Sequence, residues 1–191
     1  MNLSNSTETS KVNTRQMALT GLLAAMICIF GPLSLPLPVS PVPVTLATYA
    51  IYFTIYVAGA RRSTISVLIY LLIGLVGLPV FSSFGSGPAK LFGPTGGYLI
   101  GYLFMTVISG FVIDRWGKNV VFSFLGMLLG TAALYLVGTL WLGYQMGLRF
   151  SVALAQGVIP YIPGDVVKMV LAVITGSQVR KRLQSSGLGT Y

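Results

Sequence analysis

The chain of 191 residues is 54% hydrophobic, carries charge on 8% of its positions and has a formal net charge of +9. Soluble domains carry about 25% charged residues, so this composition describes a lipid-embedded bundle whose spans each need about 20 residues. The basic residues sit in small groups between apolar runs and not along one face, which argues against nucleic acid as a partner.

Residues 1–16 are rich in Ser, Thr and Asn and read as a disordered cytoplasmic tail bearing Lys11 and Arg15. Met17 to Phe30 is the first span. A signal peptide is the competing reading, but prolines and no A-x-A-like site follow it. Between 31 and 43 stand Pro32, Pro36, Pro38, Pro41 and Pro43, half of the prolines in the protein. Proline fixes φ and lacks an amide hydrogen, so the segment is expected to be extended and stiff. Its apolar residues Leu33, Leu35, Leu37, Val39 and Val42 suit either a loop lying on the bundle or a lid over a ligand.

A second span is expected over about 44–60, ending at Arg61-Arg62, and a third over about 64–80. Residues 81–97 hold five glycines and two prolines and cannot continue a helix. A loop of this length in a compact protein is functional or disordered, and Phe81, Phe84, Leu91 and Phe92 argue against disorder. The fourth span covers about 98–113, the fifth about 120–141 with Trp141 and Tyr144 as interfacial aromatics, and 145–157 a short helix at the surface. The sixth begins near Pro163 and stops before Arg180, about 27 Å at 1.5 Å per residue. The expected domain is thus 17–182, with 183–191 a C-terminal tail.

With both termini inside, the cytoplasmic face collects Lys11, Arg15, Arg61, Arg62, Arg115, Lys118, Arg180, Lys181 and Arg182, leaving Lys90 and Arg149 outside. That bias sets the orientation and turns the proline loop, the glycine loop and the head of the last helix outward. Gly97/Gly101 and Gly126/Gly130 are G-x-x-x-G pairs suited to packing inside the bundle. Ala18, Gly21 and Ala25 form a small-residue stripe on the first helix, open to internal packing or to a second membrane protein.

At the head of the last span lies Tyr161-Ile-Pro-Gly-Asp165-Val-Val-Lys168. An ionised side chain in a membrane helix costs about 2.5–3.5 kcal/mol on insertion scales and marks a functional site by default. Three positions apart, Asp165 and Lys168 share a helix face; they form a mutual salt bridge or grip a ligand with complementary polar groups. Tyr161 and Tyr98 supply apolar walls with a polar tip, or belt residues. Histidine is absent, Cys28 is the single cysteine, and the three acids Glu8, Asp114 and Asp165 are scattered. A Ser-His-Asp or Cys-His nucleophile is therefore excluded, a transition-metal site has no ligand set, and the chain does not read as an enzyme. There is no G-x-x-x-x-G-K-[ST] for ATP hydrolysis and no inverted repeat. A ligand binder that needs an outside motor is favoured; the alternative is a stand-alone proton-coupled carrier of a small vitamin-like molecule.

Pro41-Val-Pro-Val-Thr-Leu46, Gly77-Leu-Pro-Val-Phe81, Gly93-Pro-Thr-Gly-Gly-Tyr-Leu-Ile-Gly101 and Ile162-Pro-Gly-Asp-Val-Val-Lys168 together resemble the BioY family, the biotin-specific substrate-binding (S) components of energy-coupling factor (ECF) transporters. The resemblance spans about 17–182. It implies an all-α, six-transmembrane-helix bundle, N-in and C-in, in a bacterial cell membrane. It also implies biotin as ligand with no cofactor, and partnership with a transmembrane coupling (T) protein and two cytoplasmic ATPases. Asp165 and Lys168 are implied at the ligand, with Tyr161, Tyr98, Lys90, Thr45, Gly96 and Phe81 as further candidates around it. Lys90 is expected to meet the carboxylate when the glycine loop closes. Ala18, Gly21, Leu22 and Ala25 are implied as the docking face for the coupling protein. Ala47 stands where the family often has Gln, and Leu22 where a strict A-x-x-x-A would have Ala.

Overall fold

The structure, a computed structural model, describes residues 14–38, 40–117 and 119–185, with Gln184 by its backbone alone. The expected tail over 1–13 with Lys11, together with Val39, Lys118 and residues 186–191, lies outside the described residues.

Helix α1 runs Thr14–Phe30, so residues 14–16 belong to the first helix and not to the tail. The proline segment is extended as its composition requires, and it pairs with itself. Strand β1 (Ser34–Leu37) lies antiparallel to β2 (Ser40–Thr45), with Ser34 opposite Thr45 and Leu37 opposite Ser40. Helix α2, Ala47–Val76, holds both the second and third expected spans. At Gly59 the backbone takes φ 73° and ψ −174°, a conformation open to glycine and closed to most other residues. The chain reverses there. Thr45 and Tyr70 line one recess although 25 residues separate them, a distance that a straight helix would stretch to roughly 37 Å. Arg61 and Arg62 therefore lie in the first turn of the second arm and not in a loop after the first.

The glycine-rich segment is ordered as a short turn at Ser82–Phe84 and a one-turn helix α3, Gly87–Leu91. Helix α4 spans Gly96–Trp116 and α5 spans Val120–Met146, the latter capped by Asn119, whose Oδ1 accepts from the Val121 amide at 2.9 Å. Helix α6 (Phe150–Gly157) leads through a turn at Ile159–Tyr161 into α7, Ile162–Ser185. Helix α7 continues through Arg180, Lys181 and Arg182, beyond the stop expected from that basic run.

Among the described residues, four helical stretches are long and apolar enough to cross a membrane: Ala47–Val76, Gly96–Trp116, Val120–Met146 and Phe150–Leu183; Thr14–Phe30 is a shorter apolar helix. Because α2 folds back at Gly59, these make six rods, as expected for a six-helix bundle. Phe111, Leu129 and Leu140 stay exposed on its outside, the pattern of a surface solvated by lipid.

Small residues set how closely the rods approach. A Cβ on Gly97 would meet Trp141, on Gly101 Leu134, and on Gly130 the Ser109 side chain. Both G-x-x-x-G pairs therefore serve the α4–α5 seam inside the bundle. At the end away from Thr45, Gly110 lies against Ala60. There Asp114 accepts from the Ala60 amide with both oxygens, at 3.1 and 3.3 Å, and so caps the second arm of α2. Arg180 donates to the Gly117 carbonyl at 3.3 Å and stacks on Tyr56. Arg61, Arg62, Arg115 and Arg180 thus gather at this one end, as the inner face of the bundle requires.

A methyl group on Gly110 would sit 2.4 Å from the Ala60 Cα and 2.7 Å from its nitrogen, both rigid backbone. Gly110→Ala is expected to push α4 off the α2 turn and lower stability by about 1–3 kcal/mol, read as an earlier thermal transition in detergent; an unchanged transition would contradict this packing.

Candidate ligand site

The site forms where β2, the first turn of α2, the heads of α4 and α7 and the middle of α5 converge. Pro163 fits the opening turn of α7, where no intrahelical donor is lost. Asp165 stands in that same first turn, where the exposed amides favour an anion. Its residue exposure is 4%.

Asp165 Oδ1 accepts from Lys168 Nζ at 2.9 Å, and the ion pair is nearly enclosed. The ammonium also donates to the Thr45 carbonyl and to Thr48 Oγ1, each at 2.9 Å. Ammonium has three N–H donors, and the protein receives all of them. The second carboxylate oxygen, Oδ2, accepts from the Tyr135 hydroxyl at 2.7 Å. The Thr48 hydroxyl lies 3.4 Å from Oδ1 and 3.2 Å from the Thr45 carbonyl. The charges are thus neutralised by each other and fixed by neutral groups from β2, α2 and α5.

A narrow cleft opens beside this cluster. Val42 and Pro43 of the hairpin, Tyr98 and Tyr102 of α4, and Leu134 and Tyr135 of α5 wall it. An adjoining recess shares Val42, Pro43, Thr45, Tyr98 and Tyr102, and extends to Ser82 and Thr95 of the glycine-rich segment. The Tyr98 hydroxyl donates to the Gly157 carbonyl at 2.9 Å. The Tyr161 hydroxyl lies 2.7 Å from Ser40 Oγ and donates to the Val42 carbonyl, holding the hairpin to the head of α7. Trp141 Nε1 donates to the Gly93 carbonyl at 2.9 Å and Gln145 to that of Phe92 at 2.6 Å, tying the glycine loop to α5.

Of the candidates named from sequence, Asp165, Lys168, Tyr161, Tyr98 and Thr45 line this cleft. Phe81, Gly96 and Lys90 are placed elsewhere. Phe81 is fully buried edge-on to Tyr70 and against Gly74. Gly96 backs onto the Leu91 carbonyl. Lys90 lies with its stem over Gly85, and burial pushes its ammonium pKa down. Ala18, Gly21, Leu22 and Ala25 are all exposed on α1, and the space beside Gly21 is open. Thr48, Tyr102 and Tyr135 were missed. Thr48 stands three residues after Thr45 and Tyr102 four after Tyr98, spacings that place each beside a named candidate.

The BioY family model matches residues 5–185. The chain belongs to the BioY family. Similar proteins include biotin transporter BioY2 of Lactococcus lactis subsp. cremoris, 36% identical over 86% of this chain and 90% of the relative. The probable biotin transporter BioY of Pyrococcus horikoshii is 34% identical over 92% and 99%. Among solved structures, the S-component for biotin from an ECF-type ABC transporter superposes with a TM-score of 0.82 at 30% identity, covering 88% of this chain and 92% of that one. The expected fold class, a multi-pass ECF S-component-like bundle, is therefore the observed one, and the family is one of transporter components and not of enzymes.

In this BioY chain the ion pair makes its own prediction. Lys168→Met leaves the Asp165 carboxylate buried without a cation, which costs about 3–5 kcal/mol. The double variant Lys168→Met/Asp165→Asn removes both charges and is expected to recover much of that loss. Thermal unfolding of the four proteins in detergent closes the cycle; a double variant no better than Lys168→Met would show that the pair is not coupled.

Proposed function

We propose that this protein is the biotin-binding S component of an ECF-type importer, taking the vitamin from the outer face of the membrane. The observation that carries the reading is the Asp165–Lys168 cluster set in a tyrosine-walled cleft, in a chain whose relatives are named biotin transporters. Biotin offers two ureido N–H donors and one ureido carbonyl, an apolar thiophane ring and a carboxylate tail. Asp165 accepts from the ureido nitrogens. Lys168 donates to the ureido oxygen or to the carboxylate by releasing one of its protein acceptors, Thr45 or Thr48. Tyr98 and Tyr102 offer ring faces to the apolar part of the ligand.

Transport then needs a motor, because the sequence holds no nucleotide-binding P-loop. A transmembrane coupling protein and two cytoplasmic ATPases fill that role in this reading. The exposed face of α1 supports docking of the coupling protein: it presents Ala18, Gly21 and Ala25 to lipid with room at Gly21 for a close helix.

Two experiments separate binding from transport. Asp165→Asn leaves the Lys168 ammonium without its counter-charge, so it is expected to fold with reduced stability and to weaken biotin binding by about ten- to a hundredfold, the worth of a hydrogen bond to a charged group; unchanged affinity by calorimetry removes Asp165 from the ligand. Gly21→Leu is expected to leave biotin binding intact and to abolish uptake by cells that express the ATPases. Normal uptake by that variant, or uptake in vesicles driven by a pH gradient with no ATPase present, would overturn the assembly.

A further inference from the structure

Tyr135 sits in the middle of α5, a helix that packs chiefly on α4. Its hydroxyl nevertheless reaches α7 and meets Asp165 Oδ2 at 2.7 Å, while Lys168 holds Oδ1 at 2.9 Å. Two donors on opposite oxygens fix the plane of the carboxylate. Rotating the group about its Cβ–Cγ bond would swing one oxygen off its donor. An ionised carboxylate offers about four lone-pair positions. Lys168 and Tyr135 take two of them, and Thr48, at 3.4 Å, leans on a third. What remains for a ligand N–H is directional, and the direction depends on Tyr135.

We propose that Tyr135 is a positioning residue for ligand recognition: its phenol holds the Asp165 carboxylate turned so that its remaining lone pairs face the cleft. The inference rests on the biotin-binding reading and adds to it a residue on a helix that the sequence motif does not touch. Tyr135 itself lines the cleft, so its ring also closes the wall behind the carboxylate. The groups that face Asp165 from each packed element are few. They are Lys168 on α7, Thr48 and Tyr52 on α2, Tyr102 on α4, Tyr135 on α5 and Tyr161 in the turn before α7. Lys168 is the one cation among the residues lining the cleft, so Tyr135 is the neutral donor that sets which way the second oxygen of Asp165 points.

The test is calorimetric titration of biotin into wild type, Tyr135→Phe, Asp165→Asn and the double variant, with thermal unfolding of each in parallel. Tyr135→Phe is expected to bind biotin about ten- to a hundredfold more weakly than wild type, and to cost much less where Asp165 is already Asn, because the phenol acts through that carboxylate. Unchanged affinity would overturn the proposal. So would an equal loss in both backgrounds, which is the signature of a wall residue alone. If Tyr135→Phe does not fold, a fluorinated tyrosine placed at position 135 keeps the shape and strengthens the donor. It is then expected to change biotin affinity in the wild-type background and not beside Asp165→Asn, and the same change in both would count against the proposal. Absence of biotin binding by wild type would instead bring down the functional reading on which the inference stands.

Discussion

A carboxylate and an ammonium enclosed near the outer mouth of an apolar bundle constrain the rest of the fold. Neither charge is tolerable there alone. The attraction of the pair offsets their desolvation only when every remaining donor and lone pair is placed. Lys168 therefore draws in the Thr45 carbonyl and Thr48, while Asp165 draws in Tyr135. Those partners lie on β2, α2 and α5. Meeting them requires β2 to end beside the head of α7, α2 to start there, and α5 to pass behind. The ion pair is thus the point at which three stretches of chain distant in sequence, β2 with the start of α2, α5 and α7, are made to agree.

The surrounding structure holds that point rigid from both sides. The proline-rich hairpin has few amide hydrogens to satisfy, which lets a two-stranded ribbon lie at the mouth of a bundle without a sheet to join. Tyr161 fastens it to the head of α7, and Ser34 fastens it to the glycine loop, accepting from the Ser83 amide at 2.8 Å. Trp141 and Gln145 fasten that loop in turn to α5. At the opposite end, Gly110 against Ala60 and Asp114 on the Ala60 amide close the bundle. The cleft end is polar and hydrogen-bonded; the far end is tight and small-residue packed.

How much of this was legible in the sequence depended on whether one segment carried the signal. Asp165 and Lys168 stood out because charges are rare in the chain and these two share a helix face. The extended proline segment followed from the missing amide hydrogens, and the six-rod bundle from apolar runs of the right length. Tyr135 was not legible. A phenol in a leucine-rich span has no sequence neighbour that reveals its partner 30 residues away on another helix. Thr48 was hidden for a related reason, since a threonine in the first turn of a helix is ordinarily explained by the backbone. Phe81 misled in the other direction: it sits in a loop full of glycine, but its ring is core, set edge-on against Tyr70. The reversal at Gly59 replaced an expected loop because one left-handed residue suffices to turn the chain, and the arginines after it are helical.

A site whose polar groups already have partners recognises its ligand by exchange and not by addition. Lys168 has no spare donor in this structure, so in the proposed function each bond it gives biotin is taken from Thr45, Thr48 or Asp165. An exchange of one hydrogen bond for another of comparable strength gains little by itself. In that reading the apolar part of the ligand adds affinity by burying surface against Tyr98, Tyr102 and Leu134, and the polar cluster does the selecting. A molecule that enters without matching donors and acceptors breaks protein bonds and restores none, leaving charges unpaired in a nearly enclosed site. Discrimination in such a site rests on the penalty imposed on the wrong ligand.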